Sequence, residues 1–403
     1  MTNEKYNTLI LGKTEKEIFD VFNELNDESF HKTSSDDICT SMNLVKQMID
    51  SIPSELWKRE TIKVLDPCCG NGNFGAYCAF KTDINNIWFY DINNTRLKLC
   101  RALLNPLHID NKDFLTVEDK FDLIMANPPY SGGGNKNRSL SNLFIEHAID
   151  LLNDNGYLCF VTPNNWMTYN NNNTTLKKLL NEGSFHIINN DVKKYFAGVG
   201  SSFTVFVWQK NVFNIKTKII NNYLLKDKQT VKIPDNLQFI PLYVSKEILS
   251  VCQKLTQKSE NAFEYRCDLH NFTKASCLSD VQDNVFKYET IHTARKTRYA
   301  TFKQDIFDKW IIVIPLSTYY VPYIKNHVNT TQSVGYIRFD TKEEAERYLP
   351  IITRDEFKVI IHLTRYGNFN NIMVLKHLNF DYKKRLSDSE IAEITKIKEH
   401  IKY

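Results

Sequence analysis

The sequence predicts an α/β protein in which a doubly wound sheet is followed by a mixed α+β domain. Three observations lead to this fold class. Short apolar runs of strand length alternate with helical patterns over residues 61–162. Each of the clearest runs stops at an Asp or Asn. Beyond about residue 215 the alternation becomes irregular, and short strand-like runs mix with a helix at 342–348. Strands alternating with helices are typical of parallel sheets with helices on both faces.

Two helices precede the first strand. Thr14 and Glu17 form a capping-box pattern, in which each residue satisfies a free amide at a helix start. Apolar residues follow at helical spacing: Ile18, Val21, Phe22 and Leu25. A second helix is predicted from Met42 to about residue 52, where Pro53 ends it.

The alternating region then follows in order. Strands are predicted at residues 61–65, 86–90, 121–126, 156–162 and 203–208, with helices at 74–80, 96–104 and 143–152. Asp66, Asp91 and Asn127 each directly follow a strand. Ligands of open α/β sheets bind at the carboxyl ends of strands, so these side chains are candidates for one site.

Length and charge suggest two domains with different partners. The chain has 403 residues, 42% of them hydrophobic, which is enough for two sizeable cores. Residues 216–403 contain 30 Lys and Arg against 22 Asp and Glu, and the residues before them 21 against 25. We therefore expect a helical extension over 1–30, a catalytic domain over 31–215, and a basic, polyanion-binding domain over 216–403.

The composition disfavours several protein classes. The nine cysteines include no Cys-x-x-Cys pair, so we expect small buried side chains rather than disulfides or a metal site. No run of 18 apolar residues occurs, and residues 1–13 lack an apolar secretory core. These features predict a cytoplasmic protein without a membrane partner, from a bacterium or a virus-infected cell.

A glycine-containing loop follows the first strand and suggests a nucleoside pocket. Gly70 and Gly72 in Asp66-Pro67-Cys-Cys-Gly70-Asn-Gly72 allow backbone to approach a ligand closely. Asp91, about 20 residues on, can accept both hydroxyls of a ribose. The alternatives are a satisfied buried acid for Asp66 and a helix cap for Asp91.

Asp113 and Phe114 complete this pocket. The Asp can accept a hydrogen bond from an adenine amine, and the Phe can lie against the ring. An Asx-turn is the alternative for Asp113. No phosphate-binding loop occurs, so an adenosine moiety without a triphosphate is predicted. The predicted cofactor-binding residues are Thr40, Asp66, Pro67, Gly70, Gly72, Asp91, Ile92, Asp113, Phe114 and Asn127.

The motif Asn127-Pro128-Pro129-Tyr130 carries the predicted chemistry. An exocyclic aromatic amine is a poor nucleophile, because its lone pair is delocalised into the ring. If the Asn127 side-chain oxygen and the Pro128 carbonyl each accept one N–H, that lone pair is directed at an electrophile. The sulfonium methyl of S-adenosylmethionine is such an electrophile and needs no metal. Tyr130 offers a face on which a flipped base can stack.

Together these motifs resemble the N6-adenine-specific DNA methyltransferases of restriction-modification type. The resemblance covers roughly residues 30–210, and the motif order is similar to the gamma group, whose target-recognition domain is C-terminal. It implies a seven-stranded Rossmann-like methyltransferase domain, S-adenosylmethionine as cofactor and a flipped adenine in double-stranded DNA. Thr40 lies where the family's upstream cofactor motif usually reads Thr-Pro, although Ser41 replaces the proline here.

Further positions follow from the same resemblance. Phe196 lies where an aromatic residue of similar enzymes sandwiches the flipped base opposite the motif tyrosine; a core Phe is the alternative. Lys136 and Arg138, in the Gly-rich segment after the catalytic motif, are predicted DNA contacts, with a plain linker as the alternative.

A basic segment with interspersed aromatic residues, 288–303, is the predicted DNA-reading part of the second domain. Arg295, Lys296 and Arg298 can neutralise phosphates or read guanine edges. A solvated basic face is the alternative.

Four other functions remain open from sequence. A protein-glutamine methyltransferase also presents an Asn-Pro-Pro-Tyr motif, but the nearly 190 residues after the catalytic domain favour nucleic acid. An RNA methyltransferase, a cytosine-N4 enzyme and a catalytically inactive DNA-binding protein are the others. A separately encoded restriction endonuclease is a further expected partner that the sequence leaves open.

Overall fold

The computed structural model describes residues 4–33, 38–130, 139–169, 174–196, 202–270, 275–317 and 319–401. These residues form two compact units. The first takes in the described parts of Met1–Trp166, Asn172–Asn222 and Lys226–Asn236, and the second those of Met167–Asn171, Tyr223–Leu225 and Leu237–Tyr403.

The first unit begins with the two predicted helices, α1 (Glu15–Asp27) and α2 (Met42–Asp50). Thr14 caps α1, and the reciprocal bonds with Glu17 complete the predicted capping box. Ile18, Phe22 and Leu25 of α1 are buried in the core of this unit. The described part of residues 1–30 is thus part of the first unit rather than a separate extension, because the apolar face of α1 packs into the core.

A mixed sheet forms the centre of the first unit. Its strands are β1 (Val64–Asp66), β2 (Ile87–Asp91), β3 (His108–Asn111), β4 (Phe121–Ala126), β5 (Leu152–Pro163), β6 (Gly183–Asn189), β7 (Phe203–Lys210), β8 (Thr217–Ile220) and β9 (Gln229–Val231). Among the described residues the strand order is β3-β2-β1-β4-β5-β7-β6-β8-β9. The first five strands in this order are parallel, and β7 lies antiparallel between β5 and β6.

This topology confirms the predicted doubly wound, Rossmann-like α/β class. The helices within the sheet region are α3 (Asn73–Cys78), α4 (Asn94–Leu104), α5 (Leu140–Leu151) and α6 (Thr174–Glu182). The order reverses between β1 and β4, so their carboxyl ends flank the crevice where such sheets bind ligands. Over the described residues, however, the sheet has nine strands rather than seven.

The extra strands also move the boundary between the two parts of the chain. The predicted boundary at residue 215 falls before β8 and β9, yet β8 pairs with β6 in parallel and β9 pairs with β8. The first unit therefore continues to Asn236. The segment 211–222 gave no clear period in sequence, because the four-residue strand β8 carries too few side chains to show one.

The second unit mixes helices with two small sheets. Its helices are α7 (Lys246–Leu255), α8 (Lys342–Ile352), α9 (Asp355–Leu363), α10 (Ile372–His377) and α11 (Asp388–Lys398). Its strands are β10 (Glu264–Tyr265), β11 (Leu278–Ser279), β12 (Tyr288–Thr293), β13 (Lys296–Ala300), β14 (Trp310–Pro315), β15 (Tyr323–Lys325), β16 (Asn329–Thr330) and β17 (Val334–Phe339). Over the described residues the sheet orders are β10-β17-β14-β15 and β11-β13-β12-β16. This arrangement confirms the predicted mixed α+β class.

Within the described part of the chain, no helix has the length and apolarity required to cross a bilayer.

Candidate active site

A cavity of about 620 Å³ opens at the carboxyl edge of β3, β2, β1 and β4 in the first unit. This volume lies in the range of small-molecule sites. Most of the predicted site residues line it: Thr40, Pro67, Gly70, Asp91, Ile92, Asp113, Phe114, Asn127, Pro128, Pro129 and Tyr130. Residues far apart in sequence thus meet in one cavity, as their positions at strand ends predicted.

Asp91 is held by the loop that follows β1. One carboxylate oxygen accepts from the Gly70 backbone N–H at 2.8 Å, and the other accepts from the Asn93 N–H at 2.7 Å. Gly70 has a positive φ of 55°, which favours glycine. A Cβ there would also lie 3.1 Å from the Arg96 guanidinium. Asp91 is therefore presented at the cavity wall, where its remaining lone pairs can accept ribose hydroxyls.

Gly72 has a different position from the one predicted. It does not line the cavity but precedes α3 with a φ of 96°. A Cβ on it would lie 2.7 Å from Leu104 and 2.9 Å from Cys100, both on α4. Gly72 thus allows the glycine loop to pack closely against α4, which is a reason for glycine unrelated to ligand approach.

The other end of the cavity is aromatic. The Phe114 ring lies 4.8 Å from the Phe144 ring, and both residues line the cavity together with Leu115 and Leu140. The exposed Asp113 side chain accepts from the Leu115 N–H at 3.0 Å, which is the Asx-turn considered from sequence. The same carboxylate lines the cavity, so the turn holds it beside the aromatic wall.

Asp66 is fully buried beneath the cavity rather than on its wall. Neither carboxylate oxygen has a hydrogen-bond partner that satisfies normal geometry. Burial, and secondly the nearby charge of Asp91, raise the pKa of this carboxyl well above its usual range, while the Cys68 backbone N–H opposes that rise. Asp66 is thus the buried acid considered from sequence.

The catalytic motif begins directly after β4. The Asn127 side-chain oxygen accepts from the Tyr130 hydroxyl at 2.7 Å, and its Nδ2 donates to Thr40 Oγ1 at 3.1 Å. Burial raises the pKa of Tyr130 far above its usual value, so this hydroxyl stays protonated and donates. The oxygen predicted to accept from a target amine is therefore occupied by Tyr130 in this structure.

Phe196 is not open to the cavity. It is 1% exposed and stacks on Phe203, with ring centroids 4.1 Å apart and planes inclined by 10°. Its ring meets Tyr130 edge-on at 6.4 Å. No parallel gap for a base lies between the two rings in this arrangement, which corresponds to the core Phe considered from sequence.

Several cavity residues were missed by the sequence interpretation. They are Thr33, Ile38, Cys39, Cys68, Cys69, Asn71, Asn73, Phe74, Asn93, Arg96, Lys112, Leu115, Leu140 and Phe144. Arg96 is the most informative, because it is a buried cation that donates to the His31 carbonyl at 3.2 Å and to Cys39 Sγ at 3.5 Å. A cation in the first turn of a helix interacts unfavourably with the helix dipole. That unusual placement could have identified Arg96 as a candidate site residue from the sequence.

The predicted basic segment of the second unit forms a hairpin. Strands β12 and β13 pair antiparallel, and Arg295 is exposed in the turn between them. Asp280, which follows β11, lies 2.9 Å from Lys296 and 2.7 Å from Arg298. The Arg298 side chain is only 14% exposed. Two of the three cations predicted to bind DNA in this segment, Lys296 and Arg298, are therefore paired within the unit. The predicted contacts Lys136 and Arg138 lie outside the described residues.

Across the described ranges, no group of three or more His, Cys, Asp or Glu has the arrangement of a metal site. All nine cysteines lie among the described residues; none of them forms a disulfide, and five are buried.

Comparison with known proteins supports the resemblance. Residues 42–196 match the family described as Eco57I restriction-modification methylase. The chain is 28% identical to Type II methyltransferase M.VspI of Vibrio sp. (strain 343), over 35% of this chain and 40% of the relative. It is 27% identical to Type II methyltransferase M.HincII of Haemophilus influenzae, over 60% of this chain and 50% of the relative.

The chain thus spans half or less of the length of these curated relatives. Among solved structures, the type IIG restriction endonuclease BpuSI is 13% identical, with 95% of this chain and 62% of that one covered and a TM-score of 0.46. The predicted resemblance to restriction-modification methyltransferases is confirmed by the family match and by these relatives.

Proposed function

We propose that this chain transfers a methyl group from S-adenosylmethionine to the N6 amine of a flipped-out adenine in double-stranded DNA. The observation that carries the proposal is the position of Asn127. Asn127 directly follows β4 and lines the cavity that Asp91, Asp113 and Phe114 also line. An acceptor for a planar amine and a set of groups suited to adenosine therefore share one cavity.

The cavity residues fit S-adenosylmethionine. The oxygens of Asp91 suit the ribose hydroxyls, and Phe114 and Phe144 suit an apolar, aromatic ring. Arg96 offers a guanidinium to a carboxylate, and its buried position would strengthen that interaction. When bound, the cofactor would supply the electrophilic methyl group.

In the proposed reaction this chain orients the amine. Asn127 Oδ1 and the Pro128 carbonyl accept the two N–H bonds, which leaves the nitrogen lone pair directed at the methyl donor. Tyr130 must first give up its hydrogen bond to Asn127 Oδ1, and its ring can then stack on the base. Phe196 would join that stack only after leaving Phe203.

The basic hairpin of the second unit supports DNA as the substrate. The exposed Arg295 and Lys296, together with Arg298, can neutralise phosphates. The family match and the relatives named Type II methyltransferases support the same choice. We further propose a separately encoded restriction endonuclease as a partner and a cytoplasmic location.

The test is methyl transfer from tritium-labelled S-adenosylmethionine, with unmethylated double-stranded DNA, RNA and a glutamine-containing protein as parallel acceptors. Digestion of the DNA to nucleosides and mass spectrometry should show N6-methyladenine. The Asn127→Ala variant should lose at least a hundredfold in rate, because it lacks the acceptor. Label in RNA or protein but not DNA would contradict the proposal, and N4-methylcytosine would contradict the choice of base.

A further inference from the structure

The orientation of the Asn127 amide decides whether the proposed site can work. Only the oxygen end can accept from a target amine, since the nitrogen end would present two further donors to it. A half-turn of this amide would therefore remove the acceptor without moving the backbone. Whatever fixes the amide fixes the reactive geometry, and this inference rests on the proposed function.

Two groups hold the amide in the structure, and only one can remain when substrate binds. The Tyr130 hydroxyl occupies Oδ1, where the target amine must go. Thr40 Oγ1 accepts from Nδ2 at 3.1 Å, on the opposite end. Once the amine replaces Tyr130 at Oδ1, Thr40 is the group that still bonds the opposite end of the amide and so holds its plane.

Thr40 is in turn held by two asparagines. Its backbone carbonyl accepts from Asn73 Nδ2 at 2.9 Å and from Asn26 Nδ2 at 3.3 Å. Asn73 Nδ2 also donates to Asn26 Oδ1 at 3.0 Å, so the three groups form a closed ring of hydrogen bonds. Thr40 and Asn73 are 6% and 5% exposed, so water competes little for these bonds.

The ring links the N-terminal helix to the catalytic motif. Asn26 lies near the end of α1, whose apolar face is fixed in the core by Ile18, Phe22 and Leu25. Asn73 is the first residue of α3, directly after the glycine loop. A rigid helix and the cofactor loop therefore meet at the carbonyl of the residue that orients Asn127.

We propose that Thr40 is a positioning residue for the Asn127 amide and that Asn26 of α1 holds Thr40 in place, both directly and through Asn73. This role differs from the cofactor contact predicted for Thr40 from sequence. It also gives α1 a part in the reaction that its sequence did not suggest.

The first test compares Thr40→Val, which removes the acceptor at nearly constant volume, with Thr40→Ser, which keeps it. Thr40→Val should lower kcat for DNA methylation about fivefold to tenfold, the usual worth of one hydrogen bond. Its Kd for S-adenosylhomocysteine, measured by calorimetry, should stay within about twofold of the wild-type value, and Thr40→Ser should restore kcat. A tenfold weaker Kd with unchanged kcat would make Thr40 a cofactor ligand and overturn the proposal.

The second test addresses α1. Asn26→Ala should lower kcat in the same direction as Thr40→Val. Asn23→Ala, an exposed asparagine on the same helix, is the matched control and should change nothing. Equal losses in both variants, or none in Asn26→Ala, would exclude a role for α1.

A readout that needs no DNA separates this inference from the proposed function. In protein labelled with 15N-asparagine, the Asn127 side-chain amide is the NMR signal lost in Asn127→Ala. It should shift in Thr40→Val and stay in place in Thr40→Ser. If the wild type methylates no DNA, the proposed function fails, yet this shift still decides whether Thr40 holds the amide. An unshifted signal overturns the inference even if methylation is observed.

Discussion

The Tyr130–Asn127 hydrogen bond makes the arrangement in this structure different from the one that the proposed reaction requires. The hydroxyl occupies the acceptor oxygen, and the ring packs edge-on against Phe203 at 5.2 Å. Entry of a base thus exchanges one hydrogen bond for another, which costs little enthalpy, but it must also turn an aromatic side chain. The tyrosine therefore has opposing effects: its hydroxyl competes with the substrate, and its ring can stabilise the substrate.

Substitutions at Tyr130 can separate these effects. Tyr130→Phe removes the competing hydroxyl and keeps the ring, so we expect kcat/KM for DNA to be retained or to rise a few-fold. Tyr130→Ala removes both and should lose roughly 5- to 150-fold, the usual range for one base–aromatic stack. Steady-state methylation kinetics of the two variants provide the measurement. Equal losses in both would show that the hydroxyl itself takes part in the reaction.

Asp66 should make stability depend on pH. Burial raises the pKa of this carboxyl far above its value of about 3.9 in unfolded chains. Between the two values the unfolded chain releases a proton that the folded chain keeps, so rising pH destabilises the wild type. Near pH 4 this effect is absent, and it grows by at most about 1.4 kcal/mol per pH unit up to the folded pKa.

Asp66→Asn should remove that dependence. We measure the free energy of unfolding in urea, and we expect that of Asp66→Asn to increase relative to that of the wild type as pH rises from 5 to 8. Asp110→Asn, at an exposed acid of β3, controls for the lost charge. A constant difference between Asp66→Asn and the wild type across this range would mean that Asp66 is ionised throughout.

At the scale of elements, the sequence was most informative where one periodicity extends over a whole segment. Strand β4 occupies the predicted residues 121–126, and the α1 capping box forms as expected. The sequence missed strand β6, which has seven residues, and strands β8 and β9, which have four and three. Gly72 was assigned to the cofactor because a sequence does not show that α4 packs against it. The pairing of Asp280 with β13 was equally hidden, since the two meet only through the fold.

That pairing affects how the hairpin of β12 and β13 would bind DNA. Asp280 occupies Lys296 and Arg298, and Lys296 in particular lowers the pKa of the Asp280 carboxyl. A phosphate would have to displace this carboxylate. Asp280 should therefore weaken binding to DNA of any sequence, since phosphate contacts dominate such binding.

Asp280→Asn should tighten binding to a non-cognate duplex several-fold at 0.1 M salt. The slope of log K against the logarithm of the salt concentration should also become more negative, by up to about 0.9 for each of the two released cations. Fluorescence anisotropy at several salt concentrations measures both. Asp340→Asn is the matched control, because it also removes an acid paired with a lysine, Lys309, in the same unit. Equal effects in the two variants would show that Asp280 weakens DNA binding only through its net charge and not through its pairing with Lys296 and Arg298.

At the scale of the whole molecule, the described residues of the two units bury separate hydrophobic clusters. The core of the first unit includes residues of α1, α2 and the sheet, whereas a second cluster contains residues of α7, α9 and α11. Every residue that lines the cavity lies between Thr33 and Phe144, within the first unit. The first unit extends to Asn236, about 20 residues beyond the boundary expected from the change of charge and pattern, because β8 and β9 join its sheet.

This separation predicts a localised response to ligand. At 100 times its Kd, a ligand stabilises the state it binds by about 2.7 kcal/mol, which slows amide exchange through global unfolding about a hundredfold. Hydrogen exchange of the full chain with S-adenosylhomocysteine should show that slowing in β1 of the first unit. It should not show it in β14, an inner strand of the sheet β10-β17-β14-β15 in the second unit. Both strands are buried, so local exposure does not separate them. Equal slowing in β14 would show that the two units unfold as one cooperative body, because only then could a ligand of the first stabilise the second.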